Sequence, residues 1–228
     1  MMTNPDAVML FAAGFGTRMG DLTRTRPKPL IEVSGRPLID YALDLVDAQK
    51  PARTVVNVHY LADQIIAHLS ATEVLFSHEK DRILDTGGGL RAALPLLGTG
   101  PVFTLNTDAI WAGPNPLRLL EKSWDPDRMD ALLMCIPVAQ AIGHSGPGDF
   151  CRDDTGRITR GPGLIYGGAQ IVKPDGLHAI PDDVFSLNAL WDRIHDNGRL
   201  FAVEYPGRWC DVGHPGGVAL AEGLIADV

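Results

Sequence analysis

An apolar run, Ala7–Ala12, opens into a loop of small residues, Ala13-Gly14-Phe15-Gly16-Thr17. Arg18, Arg24, Arg26 and Lys28 follow, with Asp21 the one acid among them. The run reads as a buried strand. A strand that ends in glycines and then in positive charge is built to hold phosphate. Glycines let backbone N–H groups approach an anion closely, and cations neutralise what remains. An ordinary βα turn with scattered surface arginines would carry the same glycines. The gathering of cations in a chain of formal net charge −8 weighs toward phosphate.

Beyond this stretch, apolar runs alternate with amphipathic ones. Helices are expected over 37–49, 61–69, 86–97, 116–123, 187–197 and 215–226. Pro37 suits a first helical position, and Leu38, Tyr41, Ala42, Leu45 and Val46 recur at helical spacing. Ser186 is the expected N-cap of the fifth helix, and Gly198 ends it. Strands are expected over 54–58, 74–76, 102–105, 131–138, 169–172 and 200–203. A hairpin through Asp153-Asp154-Thr155-Gly156 joins 150–152 to 157–160. Strands separated by helices imply βαβ units and a mostly parallel sheet. The C-terminal third reads as a β-rich cap over the sheet edge, and the whole, 1–228, as one α/β domain. Ligands in such sheets bind at the carboxyl ends of strands. That gathers the loops after Ala12, Phe76 and Leu105 around one crevice.

Several classes are excluded. Gly14, Gly16 and Gly20 give G-x-G-x-x-x-G, not the dinucleotide-binding G-x-G-x-x-G, so a Rossmann-type oxidoreductase is ruled out. The ATPase P-loop pattern is missing too. No apolar run approaches the roughly 20 residues that span a bilayer. The opening MMTNPDAVMLFAAG lacks the cationic start of a secretory signal. Cys135, Cys151 and Cys210 are odd in number and widely spaced, make neither a disulfide framework nor a zinc motif, and suit a reducing cytoplasm. The acidic balance argues against nucleic-acid binding. The four tryptophans, Trp111, Trp124, Trp191 and Trp209, read as packing residues, with Trp209 the one expected to line the site.

The ordered pattern Gly-x-Gly-Thr-Arg-Met, then Leu-Thr, then Arg-Pro-Lys-Pro-Leu resembles the signature of the sugar-1-phosphate nucleotidyltransferases. That family usually has proline where this chain has Asp21. The likeness runs from Met9 to the final helix. It implies a Rossmann-like nucleotidyltransferase fold, with a mostly parallel central sheet and a small β-rich sugar-binding cap. It also implies transfer of a nucleoside monophosphate from UTP or GTP to a sugar 1-phosphate, with pyrophosphate released and Mg²⁺ as cofactor. Residues 1–138 would form the nucleotide-binding part and 139–228 the sugar-binding part, in a monomer or homodimer.

By the same resemblance, Ala12, Ala13, Gly14, Gly16, Thr17 and Arg18 hold the nucleotide. Arg18 neutralises the departing pyrophosphate, and Lys28 bridges the α-phosphate and the incoming sugar phosphate. Asp108, in Leu-Asn-Thr-Asp, and Asp211, in Trp-Cys-Asp-Val-Gly, would be the metal ligands. Spacing alone would leave each an ordinary loop acid. Thr107 stands where glycine is common. Gly87 and Gly88, within Asp85-Thr86-Gly87-Gly88-Gly89, would carry the base. Three glycines at a helix start cost about 1 kcal/mol each relative to Ala, so something must need them. Close helix–sheet packing is the other reason they could be there. Asp149 and Gly168 fall where the family places acceptor-sugar contacts.

Three stretches, Val56–Leu61, Asp85–Leu97 and Gly148–Phe150, look like the short bacterial group that transfers UMP to N-acetylmuramate 1-phosphate in cell-wall recycling. Mannose-1-phosphate and heptose-1-phosphate guanylyltransferases share most of these features. A non-catalytic sugar-nucleotide sensor on the same fold is the reading from another class. The joint presence of Arg18, Lys28, Asp108 and Asp211 argues against it.

Overall fold

The computed structural model describes residues 4–227; the first three residues of the stretch read above for a signal lie outside them. After β1 (Ala7–Phe11) come a short hairpin, β2 (Glu32–Val33) and β3 (Arg36–Pro37), then α1 (Leu38–Gln49) and β4 (Arg53–Val58). Next come α2 (Ala62–His68), β5 (Leu75–His78), α3 (Asp85–Leu97) and β6 (Val102–Asn106). The chain continues through β7 (Ala109–Ala112), α4 (Pro116–Ser123), β8 (Ala131–Pro137), β9 (Ala141–Ile142), β10 (Phe150–Arg152) and β11 (Ile158–Arg160). It ends with β12 (Leu164–Val172), α5 (Asn188–Asp196), β13 (Leu200–Glu204), β14 (Arg208–Asp211) and α6 (Pro215–Ala226).

Strand β1 occupies the middle of the sheet because it has no polar face to turn outward. Ala7, Val8, Met9 and Leu10 are all fully buried. It runs parallel to β4 on one side and β6 on the other, and β5 extends the parallel set beyond β4. Successive side chains of a strand point to opposite faces. Val8 and Leu10 join a core with Ile39, Ile65 and Leu120, from α1, α2 and α4. Ala7 and Met9 join another with Leu90, Leu97 and Leu190, from α3 and α5. The result is a sheet covered by helices on both faces, the α/β arrangement expected.

The β-rich third is present, and most of it continues the central sheet. β12 lies antiparallel to β6 and to β8, and β13 runs parallel to β8. The expected hairpin of β10 and β11 forms and joins β12 through Phe150 opposite Leu164. β12 is longer than expected, starting at Leu164, because Gly167 and Gly168 sit inside a register shift between Tyr166 and Gln170 rather than ending the strand. Helix α5 starts at Asn188, one residue late, yet the Ser186 hydroxyl still accepts its N–H at 3.3 Å.

A small separate sheet, in which β14 pairs antiparallel with β7 and parallel with β9, was not expected. Its strands are too short for a period to show. A third apolar cluster, including Met19, Val33, Ile110, Val212 and Leu224, packs α6 against this sheet and against the segment that follows the glycine loop. Among the described residues no helix is long and apolar enough to cross a membrane, and all three cysteines are free thiols.

Candidate active site

The glycine loop leaves the carboxyl end of β1 and folds back on itself. Gly16 has φ +64°, and a Cβ there would lie 2.8 Å from Thr23 Cγ2 and 3.0 Å from Lys28 Cβ. Only glycine lets the loop close this tightly around the lysine stem. The Thr23 hydroxyl donates to the carbonyls of Gly16 and Gly20, and the Tyr60 hydroxyl donates to Thr23 O at 2.8 Å. Among the described residues, the N–H groups of Gly14, Phe15 and Gly16 find no acceptor. They are free for an anion. Ala12 is different: its N–H donates to Asn57 Oδ1 at 2.8 Å, so it shapes the loop from behind. Arg18 is exposed at the loop's far end.

Lys28 is 9% exposed and places Nζ 2.6 Å from Asp108 Oδ2. Asp108 follows β6, and Thr107 beside it is buried, its hydroxyl donating to Phe11 O at 2.8 Å. The threonine that replaces the family's glycine therefore ties the ends of β1 and β6 together. The fold also delivers the second acid. Asp211 lies opposite Ala109 in the β7–β14 pair, and the Val212 N–H donates to Asp108 O at 2.9 Å. Asp108 and Asp211 thus sit side by side. Burial, and then the charge of Asp108, push the Asp211 carboxyl above its ordinary range, while Lys28, Arg18 and His144 pull it back. A Cβ on Gly213 would touch both the Asp211 carboxylate, at 2.7 Å, and Arg18 Nη1, at 3.2 Å. The four expected residues, Arg18, Lys28, Asp108 and Asp211, form one cluster.

This donor set fits a magnesium ion. Two carboxylates converge, and the Asp211 carboxylate accepts no hydrogen bond from a described residue although it is largely buried. Magnesium takes one or two protein carboxylates and fills its remaining positions with water and phosphate oxygen. Among the described residues no cluster of three or more His, Cys, Asp or Glu offers a richer metal site.

The glycine loop, Lys28 and Asp108 line a cleft of about 210 Å³, closed on its other side by Ile83, Asp85 and Thr86. Asp85, the first residue of α3, holds φ +61° and accepts the Thr86 N–H at 2.6 Å. Gly87 and Gly88 do not face this cleft as expected. Their N–H groups donate to Phe185 O, at 2.9 and 3.1 Å. A Cβ on Gly87 would lie 2.4 Å from the Phe185 ring, and one on Gly88 2.4 Å from Asp183 O. The glycines are used for close packing of α3 against the 183–185 segment.

Sequence reasoning missed the groups that hold the cleft in shape. Asn57 Nδ2 donates to the buried Glu79 at 2.7 Å, and Glu79 also accepts the Leu84 N–H at 2.7 Å. The chain of bonds Ala12–Asn57–Glu79–Leu84 links the glycine loop to the start of α3. A polar residue inside the apolar strand 54–58 was the available signal, since a buried amide must find partners.

A second cleft of about 270 Å³ adjoins the first, and Phe11, Thr86 and Asn106 line both. Asp149 lies in it, with Oδ2 accepting the Tyr166 N–H at 2.9 Å. Gly168 does not line it. At φ +90°, with a Cβ position 2.9 Å from Asn106 Cβ, it backs Asn106 instead. Trp209 is likewise behind the site, its indole N–H held by Gly167 O at 3.0 Å. The tryptophan in the cleft wall is Trp191, from α5.

A sheet with a free-amide glycine loop, a lysine and two converging carboxylates at its carboxyl edge defines a nucleotidyltransferase. A family model described as the MobA-like NTP transferase domain matches residues 8–144, and the chain belongs to that family. Within it the chain is a sugar-1-phosphate nucleotidyltransferase. It is 40% identical to an N-acetylmuramate alpha-1-phosphate uridylyltransferase of Caulobacter vibrioides, over the full length of both. It is 31% identical to the protein of the same name from Neisseria meningitidis, over 90% of this chain and 92% of that one. Its fold matches HddC from Yersinia pseudotuberculosis complexed with GMP-PN, with a TM-score of 0.77, 22% identity, and coverage of 96% of this chain and 99% of that one.

Proposed function

We propose that this chain transfers UMP from UTP to N-acetylmuramate 1-phosphate and releases pyrophosphate. The observation that carries the reaction is the convergence of Arg18, Lys28, Asp108 and Asp211 beside a loop with unpaired amides. A phosphate monoester at neutral pH is already an anion, so no general base is needed. Its oxygen attacks the α-phosphorus in line, and the bond to the β-phosphate oxygen breaks. Such transfer depends on positioning and on neutralising charge.

The N–H groups of Ala13 to Thr17 hold the triphosphate. Lys28, steadied by Asp108, lies between the α-phosphate and the incoming sugar phosphate. Arg18 meets the charge that builds on the departing pyrophosphate. Asp108 and Asp211 would hold Mg²⁺, which supplies further neutralisation and polarises the phosphate oxygens. Asp149 keeps one carboxylate oxygen for a hydroxyl of the sugar. Residues 1–138 and 139–228 act as the nucleotide and sugar parts of one domain. The choice of UTP and N-acetylmuramate 1-phosphate follows the two relatives named above. With these substrates the chain would act in cytoplasmic cell-wall recycling, as a monomer or homodimer.

The test is pyrophosphate release across a matrix of nucleoside triphosphates and sugar 1-phosphates, with Mg²⁺. The expected maximum of kcat/KM is at UTP with N-acetylmuramate 1-phosphate. A maximum at GTP with mannose 1-phosphate would reassign the substrates. Silence across the matrix would remove the reaction.

A further inference from the structure

The second cleft contains a cation for which the transfer reaction has no use. The Arg160 guanidinium carbon lies 4.8 Å from the centroid of Phe150 and 5.7 Å from that of Trp191. Nη2 donates to Asn188 Oδ1 at 2.8 Å and to Asp192 Oδ1 at 2.9 Å, and Nε reaches the same Asp192 oxygen at 3.3 Å. Nη1 has no acceptor among the described residues. The rings fix the plane of the fork, and α5 holds one edge of it. The other edge remains open.

The wall behind the arginine is fixed as well. Trp191 donates its indole N–H to the buried Gln170 at 2.9 Å, and Gln170 donates to Thr104 at 3.1 Å. Trp191 packs edge-on against Tyr166, with ring centroids 4.8 Å apart. A neutral sugar would be served by Asp149, Asn106 and the aromatic faces. It would leave the free edge of Arg160 unpaired. A guanidinium presents its donors in a rigid fork that matches a carboxylate. Asp192 meets only the Nε–Nη2 edge, and that pair is exposed, 44% and 63% by side chain, where pairs contribute little.

We infer that Arg160 is a specificity-determining residue, which selects sugar 1-phosphates bearing a second acidic group, a carboxylate on a ring substituent, over their neutral counterparts. This rests on the sugar-1-phosphate reading above. With the sugar 1-phosphate directed at Lys28 in the first cleft, the shared lining at Phe11, Thr86 and Asn106 leaves the far side of the sugar beside Arg160.

The experiment compares two acceptors that differ only by the acidic ether substituent, N-acetylmuramate 1-phosphate and N-acetylglucosamine 1-phosphate, each with UTP. In R160Q the ratio of kcat/KM, acidic over neutral, falls about tenfold or more, through KM for the acidic acceptor. In D192N, which removes the competing carboxylate, the ratio holds or rises. An unchanged ratio in R160Q, an equal loss on both acceptors, or a fallen ratio in D192N would overturn the inference. If the wild type releases no pyrophosphate with any sugar 1-phosphate, the parent reading fails by itself. Calorimetric binding of N-acetylmuramate 1-phosphate then decides for Arg160. Weaker binding to R160Q than to wild type supports the role, and equal affinity, or none for either protein, removes it.

Discussion

Lys28 Nζ and Asp108 Oδ2 stand 2.6 Å apart across 80 residues of chain. The lysine is nearly enclosed by the glycine loop, and the acid sits half-exposed at the end of β6. The pair holds the ammonium aimed into the cleft before any substrate arrives. Replacing Lys28 with Ala is expected to lower kcat/KM for pyrophosphate release by about 10²–10³-fold, the scale of losing one preorganised charge donor. Asp108→Ala should fall as far, and should destabilise the fold by about 1–3 kcal/mol because the cation loses its partner. Activity within a few-fold of wild type for both variants would remove the pair from the mechanism.

Asp211 leads to a prediction of opposite sign for stability. Burial and Asp108 raise its folded pKa above the ordinary 3.8, so the folded chain binds its proton more tightly than the unfolded one. Stability of the metal-free protein therefore falls as pH rises from about 3.8 through the raised value, and stays lower above it. Asp211→Asn removes that loss and is expected to raise the melting temperature at neutral pH in the presence of a chelator, while abolishing transfer. Added Mg²⁺ should stabilise the wild type and leave the variant unmoved. A variant less stable than wild type without metal would contradict the electrostatic account.

The Asn57–Glu79 link is the next test. Asn57→Ala strands the Ala12 N–H and takes a donor from a buried carboxylate. Each buried group left unmatched costs about 1–3 kcal/mol. Urea unfolding should show a loss of about 2 kcal/mol or more, accompanied by a raised KM for the nucleotide. A change under about 0.5 kcal/mol would place the link among ordinary surface contacts.

Two glycines should separate function from packing. Gly16→Ala forces a side chain into the left-handed region and against Lys28, so activity should fall far more than stability. Gly88→Ala drives a Cβ onto the Asp183 carbonyl and should cost about 1–3 kcal/mol of stability by overpacking. Kinetics and thermal melts on both variants check the contrast; the reverse pattern would return Gly88 to the nucleotide site.

The parallel half of the fold is legible because β1 and its neighbours are buried on both faces and read as apolar runs. Helices α4 and α6 are legible to the residue because each opens on a proline. What escaped notice depends on distant pairing. β7 and β14 are four-residue strands that exist through pairing with distant partners, so nothing local announces the sheet that carries Asp211. The glycines of β12 suggest a break in sequence and turn out to sit at a bulge. Trp191 and Trp209 cannot be told apart by residue type. Their hydrogen bonds, to Gln170 and to Gly167, decide which one faces the cleft. Gly87 and Gly88 were legible as a demand for close approach, but not as an approach by the protein's own 183–185 segment.

The site's second carboxylate rides on a strand close to the end of the chain, beyond the span that the family model matches. Met19, in the segment that follows the glycine loop, shares its apolar cluster with Val212 and Leu224, so the loop and the second carboxylate belong to one packing unit. Loss of β14 and α6 would therefore take Asp211 from the site and uncover Met19 at one stroke.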